Sequence, residues 1–109
     1  MRRKTSKPEP KDSSNGVTWE HAGGKLRRLG AESCTESELL EIVLGSGIKD
    51  KSAHQIAEEI LDTYYSLGGL MGVSLKDLMK IKGLKEVKAT KIAAVYEIAR
   101  RLLKFIERQ

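Results

Sequence analysis

The sequence predicts an all-α fold, a small bundle of about five helices. The apolar set is dominated by Leu, Ile, Val and Ala, with aromatics at only 5% of 109 residues, a mix suited to packed helices rather than sheets. Apolar residues recur at three- and four-residue spacing in several segments. Helix-capping residues stand in front of three of those segments, at Thr35, Ser52 and Ser74.

Residues 1–16 contain both prolines, mix Ser, Lys, Asp and Asn, and lack apolar periodicity. They predict a disordered basic tail, with a helical domain over 17–109 whose order begins near Val17–Trp19. A weak helix is expected over Glu20–Leu29, with Leu26 and Leu29 inward and Gly30 as its stop. Gly23 and Gly24 would each cost about 1 kcal/mol inside it, which moves its expected start to Gly24 or Lys25.

Thr35-Glu36-Ser37-Glu38 has the form of a capping box and opens a short apolar helix that includes Leu39, Leu40, Ile42, Val43 and Leu44. Gly45-Ser46-Gly47 ends it. Ser52-Ala53-His54-Gln55 is a second capping box, followed by a face of Ala53, Ile56, Ala57, Ile60, Leu61 and Tyr64, with Gly68-Gly69 as the expected stop. Leu67, Leu70 and Met71 predict a hydrophobic turn. Ser74 caps a short helix over Leu75–Ile81, with Leu75, Leu78 and Met79 inward. After a tight break at Lys82-Gly83-Leu84-Lys85, the last helix runs from about Glu86 to Glu107. Its expected stripe is Val87, Ala89, Ile92, Ala93, Val95, Tyr96, Ala99, Leu102, Leu103 and Ile106. At 1.5 Å per residue it spans roughly 33 Å, long for so small a domain.

Composition excludes several function classes. A single cysteine, Cys34, gives no internal disulfide and fits a reducing compartment. No local His or cationic helix start activates it as a nucleophile. No apolar run approaches the ~20 residues needed to span a bilayer, and no apolar stretch follows the basic start, so a cytoplasmic protein without membrane contact is expected. His21 and His54 lie far apart without ligand spacing, which predicts no metal and no cofactor. The net charge of +5 is unevenly spread: residues 76–109 carry ten basic and four acidic residues, whereas 15–75 carry five and nine. Such asymmetry is the footprint of an anionic partner or, more blandly, a solvated helix face.

The segment from Leu75 to Ala99 places a short helix, a glycine break and a longer helix in sequence. It resembles the helix-hairpin-helix motif, with Ile81, Gly83, Leu84, Lys88, Ala89 and Ile92 in matching places. The chemistry explains those residue types. Unpaired N–H groups at the start of the second helix can donate to a phosphate oxygen, aided by the helix dipole. Gly83 permits φ > 0 and a close phosphodiester approach. Leu84 plugs the core, and Lys82, Lys85, Lys88 and Lys91 add charge around the same end. Such contacts position a protein on DNA without reading bases. The motif's second glycine is Lys85 here, whose side chain either blocks the closest approach or supplies its own ammonium contact. The alternative is a hairpin that only packs two helices.

Residues 39–61 look like a degenerate copy of the same unit, with Gly45, Ser46, Gly47, Lys49 and Lys51 as its phosphate-facing loop. Two such units would bury both apolar faces and could present two hairpins to the strands of a duplex. The alternative there is a loop with solvated lysines.

With both units in view, the order of features resembles the N-terminal domain of the RadC, or UPF0758, family, which carries a DNA-repair label. The resembling segments are KLRRLGAESCTESELLEIVLGSGIKDKSAHQIAEEIL, the turn at 67–70, and SLKDLMKIKGLKEVKATKIAAVYEIARRL, together nearly all of residues 25–103. The resemblance implies a following metallopeptidase-like domain of the JAB/MPN type, with a His-x-His and Asp zinc site and a catalytic Glu. No His-x-His occurs in this sequence.

The expected function is therefore a DNA-binding module that grips the phosphate backbone of duplex or branched DNA without sequence preference. Its expected partners are nucleic acid and the JAB/MPN-like domain of the same parent protein. The competing expectation is a protein-interaction, dimerisation or scaffolding module acting through Trp19, Tyr64, Tyr65 or the end of the last helix. An enzyme is not expected, since Asp62 and Asp77 sit in ordinary helical contexts.

Overall fold

The computed structural model describes residues 21–109. The tail expected over 1–16, the domain start at Val17–Trp19 and Glu20 lie outside them. Among the described residues there are five α-helices and two 3-10 turns, and the only extended pairing is an isolated bridge between Ile48 and Lys51. The chain divides into two compact units, one running up to Thr35 and the other spanning Glu36–Gln109.

The first unit contains α1 (Ala22–Leu29) and a 3-10 turn over Ala31–Ser33. The helix begins earlier than the sequence predicts and holds Gly23 and Gly24 within it. The expected inward positions are also revised. Ala22 is the buried residue of this helix, Leu26 is half-buried, and Leu29 is 52% exposed. Gly30 ends the helix as expected, its N–H donating to the Leu26 carbonyl at 2.8 Å.

The second unit holds one core, formed by α2 (Glu36–Leu44), α3 (Ala53–Tyr64), α4 (Leu75–Leu78) and α5 (Glu86–Glu107). Leu40 and Leu44 from α2 meet Ile56, Ala57 and Ile60 from α3, the i, i+4 faces that the sequence pattern marks. Ser52 caps α3 through a complete capping box. Its hydroxyl accepts from the Gln55 N–H at 3.0 Å, and the Gln55 side chain accepts from the Ser52 N–H at 2.8 Å.

Helix α3 ends four residues before the expected glycine stop. Tyr65 takes φ 75°, and its N–H donates to the Leu61 carbonyl. The reason lies at Leu67, whose backbone is held from both sides. Its N–H donates to Glu36 Oε1 at 3.2 Å, and its carbonyl accepts from the Tyr96 hydroxyl at 2.7 Å. Burial, reinforced by the nearby Glu36 carboxylate, raises the Tyr96 phenol above its ordinary value. The chain must turn before Leu67 for Leu70 to reach the core.

Ser74 caps α4 as predicted, accepting from the Asp77 N–H at 3.1 Å. The helix is shorter than expected, because the chain from Leu78 to Leu84 tightens into successive i→i+3 turns. The Ile81 N–H donates to the Leu78 carbonyl at 3.1 Å and the Leu84 N–H to the Ile81 carbonyl at 3.0 Å. A period of three puts Leu78, Ile81 and Leu84 on one side, and all three are buried. Leu75 and Met79, expected inward on a 3.6-residue period, are exposed instead.

Helix α5 has the predicted bounds, but its stripe is narrower than the sequence implies. Ala89 and Ile92 are buried, Ala93, Tyr96 and Ala99 are half-buried, and Val87 faces solvent. Val87 lies five residues from Ile92, roughly 140° around the helix.

Gly83 is the tightest point of this packing. It has φ 96°, and a Cβ there would lie 2.7 Å from Ile56 Cδ1. Gly72 shares a positive φ of 79° but faces open space, and a methyl group added there would meet nothing within 4 Å. Gly83→Ala is expected to cost about 2–4 kcal/mol, from backbone strain plus overpacking, and Gly72→Ala about 1 kcal/mol, from strain alone. Urea denaturation of the two variants checks the difference, and equal losses would remove Ile56 from the explanation.

Candidate nucleic-acid interface

Two loops, each joining one helix to the next, meet at one end of the second unit. The first, residues 45–52, joins α2 to α3. Its Gly45 has φ 82°, and Ile48 and Lys51 exchange backbone hydrogen bonds at 2.8 and 3.2 Å, closing a tight turn. Gly47 lies under that turn, where a Cβ would sit 2.6 Å from the Ala53 nitrogen and closer still to the Lys51 carbonyl oxygen. The second loop, residues 79–85, joins α4 to α5 and lays Gly83 against Ile56 and Ile48.

Side chains tie the loops together. The Lys51 ammonium donates to the Lys82 carbonyl at 2.9 Å and pairs with Glu59. Its side chain is only 15% exposed. The Lys82 ammonium pairs with Asp50 across the loops at 2.8 Å, and that hydrogen bond with its accompanying charge holds the Asp50 carboxyl below its usual value. Lys88, on the first turn of α5, donates to Ser46 Oγ at 3.3 Å. The Lys91 ammonium lies 4.0 Å from where a Gly45 Cβ would be.

Every predicted backbone-contact residue therefore belongs to one neighbourhood: Gly45, Ser46, Gly47, Lys49 and Lys51 on the first loop, and Lys82, Gly83, Leu84, Lys85, Lys88 and Lys91 on the second loop and α5. Their roles differ. Leu84 is fully buried and plugs the core. Gly83 is buried too, and the side on which it lacks a Cβ faces Ile56 rather than solvent. Lys51 is turned inward. Lys49, Lys82, Lys85 and Lys91 are exposed, and Lys88 is half-exposed.

The two helix starts also differ. The α3 start is closed by its own capping box. The α5 start has Lys85 at its N-cap, with no side-chain cap, so the N–H groups of its first turn lack an intrahelical acceptor. Lys85 adopts φ −92°, an ordinary extended conformation for any residue. The backbone at that position needs no glycine, and a lysine fits without strain. Glu86, in the first turn, puts one carboxylate among these cations.

One contact is not legible in the sequence as a pair. His54 Nδ1 lies 3.2 Å from Glu41 Oε1 on α2, and its Nε2 lies 3.5 Å from Glu58. This histidine, placed by its sequence in an ordinary capping turn, thus bridges two helices. No group of three or more His, Cys, Asp or Glu among the described residues is placed to hold a metal. No helix there is long and apolar enough to cross a membrane.

The class defined so far is an all-α domain with two glycine-containing helix–loop–helix units joined at a lysine-rich end. The family described as UPF0758 N-terminal matches residues 22–90, and the chain belongs to it. This agrees with the RadC-type N-terminal domain that the sequence resembles. Similar proteins include a UPF0758 protein of Clostridium botulinum, 40% identical over 81 residues, which covers 74% of this chain and 35% of the relative. A UPF0758 protein of Streptococcus agalactiae is 40% identical over 80 residues, covering 73% and 35%. Another, from Carboxydothermus hydrogenoformans, is 40% identical over 77 residues, covering 71% and 34%. The chain thus spans about a third of the length of the curated relatives it matches. No solved structure matches.

Lys51→Met keeps the apolar stem and removes the ammonium. It is expected to cost about 1–3 kcal/mol, the range for losing a charged hydrogen bond, and to speed amide hydrogen exchange at Gly83 and Leu84. Unchanged exchange there would contradict the clamp. The Asp50–Lys82 pair has a defined pH window. Asp50 has a lowered value in the folded state, so its contribution is present above the unfolded carboxylate value of ~3.9 and is lost as pH falls below it. Asp50→Asn is expected to flatten the acid side of the stability–pH profile only slightly relative to the parent chain, because the pair is exposed and screened.

Proposed function

We propose that this chain is a DNA-binding module that holds the phosphate backbone without reading sequence. The observation that carries the proposal is the union of the two loops at one end. That union gathers Lys82, Lys85, Lys88 and Lys91 around the uncapped start of α5, with Lys49 exposed on the adjoining loop. First-turn amides and a helix dipole favour a phosphate oxygen there, and the lysines supply charge without base readout. Lys51 serves the site indirectly, by fixing the two loops to each other.

Chemistry in the parent protein belongs, on this proposal, to a following JAB/MPN-like domain, and the present chain is a targeting part rather than an enzyme. It acts in the cytoplasm, on duplex or branched DNA, without a cofactor or a membrane.

Fluorescence anisotropy with labelled duplex, single-stranded and branched DNA tests the proposal. Binding to duplex is expected to weaken with salt at a log–log slope of about −2.7 to −4.5, from about three to five phosphate contacts. Replacing Lys82, Lys85 and Lys88 together with Ala should weaken binding to all sequences alike and make the slope about 3 shallower. Asp50→Asn releases Lys82 and removes a nearby negative charge, so it is expected to tighten binding a few-fold. Absence of binding to every DNA at low salt would refute the proposal.

A further inference from the structure

The DNA-facing end leaves the other half of α5 unexplained. Beyond Arg100 every residue of this helix is exposed. Ile98, Leu102, Leu103, Phe105 and Ile106 are each more than half exposed, with Phe105 at 60% and Ile106 at 62%. Val95, Ile98, Leu102 and Phe105 follow a three-four-three spacing, the seam of a helix that packs along another helix. This face runs into an apolar groove of about 500 Å³ between α2 and α5, lined by Leu39, Leu40, Val43, Val95, Ala99 and Leu103 among others.

We infer that the occupant of this groove is the distal half of α5 from a second copy of the same chain, in a two-fold symmetric dimer. The chain carries both complementary parts: an apolar channel that fits a helix, and an unpartnered apolar helix. Reciprocal insertion fills both at once, as an isologous interface requires. Charge agrees with this choice. Helix α2, one wall of the groove, carries Glu36, Glu38 and Glu41 and no basic residue, so that wall is acidic even though Glu36 accepts from the Leu67 N–H and Glu41 faces His54 of α3. Residues 97–109 carry Arg100, Arg101, Lys104 and Arg108 against Glu97 and Glu107. Arg100 and Arg101 both bond Glu97, and Lys104 and Arg108 extend the basic edge beyond it. The exposed apolar side chains offer on the order of 600 Å² per copy, or ~1,200 Å² for the pair, at the lower edge of stable protein interfaces. Leu103 lines the groove and also lies on the inserted helix, which places it near the two-fold axis, where the half-buried Ala99 allows close approach.

Sedimentation equilibrium of the 109-residue chain tests the dimer directly. The expected mass is twice 12.1 kDa at tens of micromolar, unchanged by salt concentrations that abolish DNA binding. Leu102→Glu with Ile106→Glu, on the inserted helix, and Leu39→Glu, in the groove, are each expected to weaken association by at least ~100-fold, with far-ultraviolet circular dichroism retained. Leu103→Cys in a Cys34→Ser background leaves the hydrophobic pattern nearly intact and should cross-link to its own symmetry mate on mild oxidation, whereas Met79→Cys should not. A monomer at 200 micromolar overturns the inference and assigns the face to another segment or protein. A dimer indifferent to the α5 and groove variants, or one without the Leu103→Cys cross-link, overturns it equally. Because mass and DNA affinity are read separately, either outcome leaves the nucleic-acid proposal standing or falling on its own test.

Discussion

The second unit depends on one close approach. Gly83 lies directly on Ile56, and the packing leaves no room for a β-carbon. That contact lets a loop between α4 and α5 lie flat on the start of α3, and it brings Ile48 of the other loop alongside. Leu78, Ile81 and Leu84 then descend into the core in steps of three, and Leu84 locks the loop from beneath. Once the loops touch, α5 must leave from this point, with its first turn beside Gly45 and Ser46. Interior packing thus decides where the lysines end up, because close-packed elements transmit such constraints without slack.

Electrostatics divides the cations at that end into two kinds. Lys51 is committed to the fold: its ammonium bridges the Lys82 carbonyl and Glu59 from a mostly buried position. Lys82 is lightly held by an exposed carboxylate, while Lys49, Lys85 and Lys91 face water. An exposed pair such as Asp50–Lys82 contributes little to stability, so the proposed function requires a phosphate to displace this carboxylate only at small cost. The two units are also unequal. One helix start is closed by Ser52 and Gln55, and the other is open at Lys85. On the proposed function, the open start beside the cations of both loops is the single phosphate-binding place, and the closed start is not its equivalent.

Much of this is legible in the sequence, for physical reasons that differ by element. The Ser52 box and Ser74 cap are local chemistry, and both form as their spacing dictates. Helix α5 has strong periodicity and no internal glycine, so its bounds follow directly. Other features depend on tertiary contacts that spacing does not encode. The early end of α3 is set by Glu36 and Tyr96 holding the Leu67 backbone. Leu75 and Met79 point inward only on a 3.6-residue period, and the chain that follows them adopts a period of three. Gly83 has the positive φ that its hairpin position implies, but its missing side chain serves Ile56 rather than a phosphodiester. The inward turn of Lys51 and the His54 bridge to Glu41 are set by the fold itself, across elements that no local spacing joins. The start of α1 at Ala22 shows that two glycines do not by themselves prevent a helix.

Membership of the UPF0758 N-terminal family fixes what the chain is related to, and the lysine-rich junction of two loops is the feature that a functional account must explain. Everything proposed for DNA binding requires this junction to act as a single phosphate-binding site. The most direct measurement is a two-dimensional amide spectrum recorded while duplex DNA is added at low salt. The largest shifts are expected at Gly45–Gly47 and at Lys82–Ala89, with the Ser52–Gln55 amides less perturbed because their cap is already closed. Shifts confined to the groove between α2 and α5, or shifts of equal size at both helix starts, would contradict a single site.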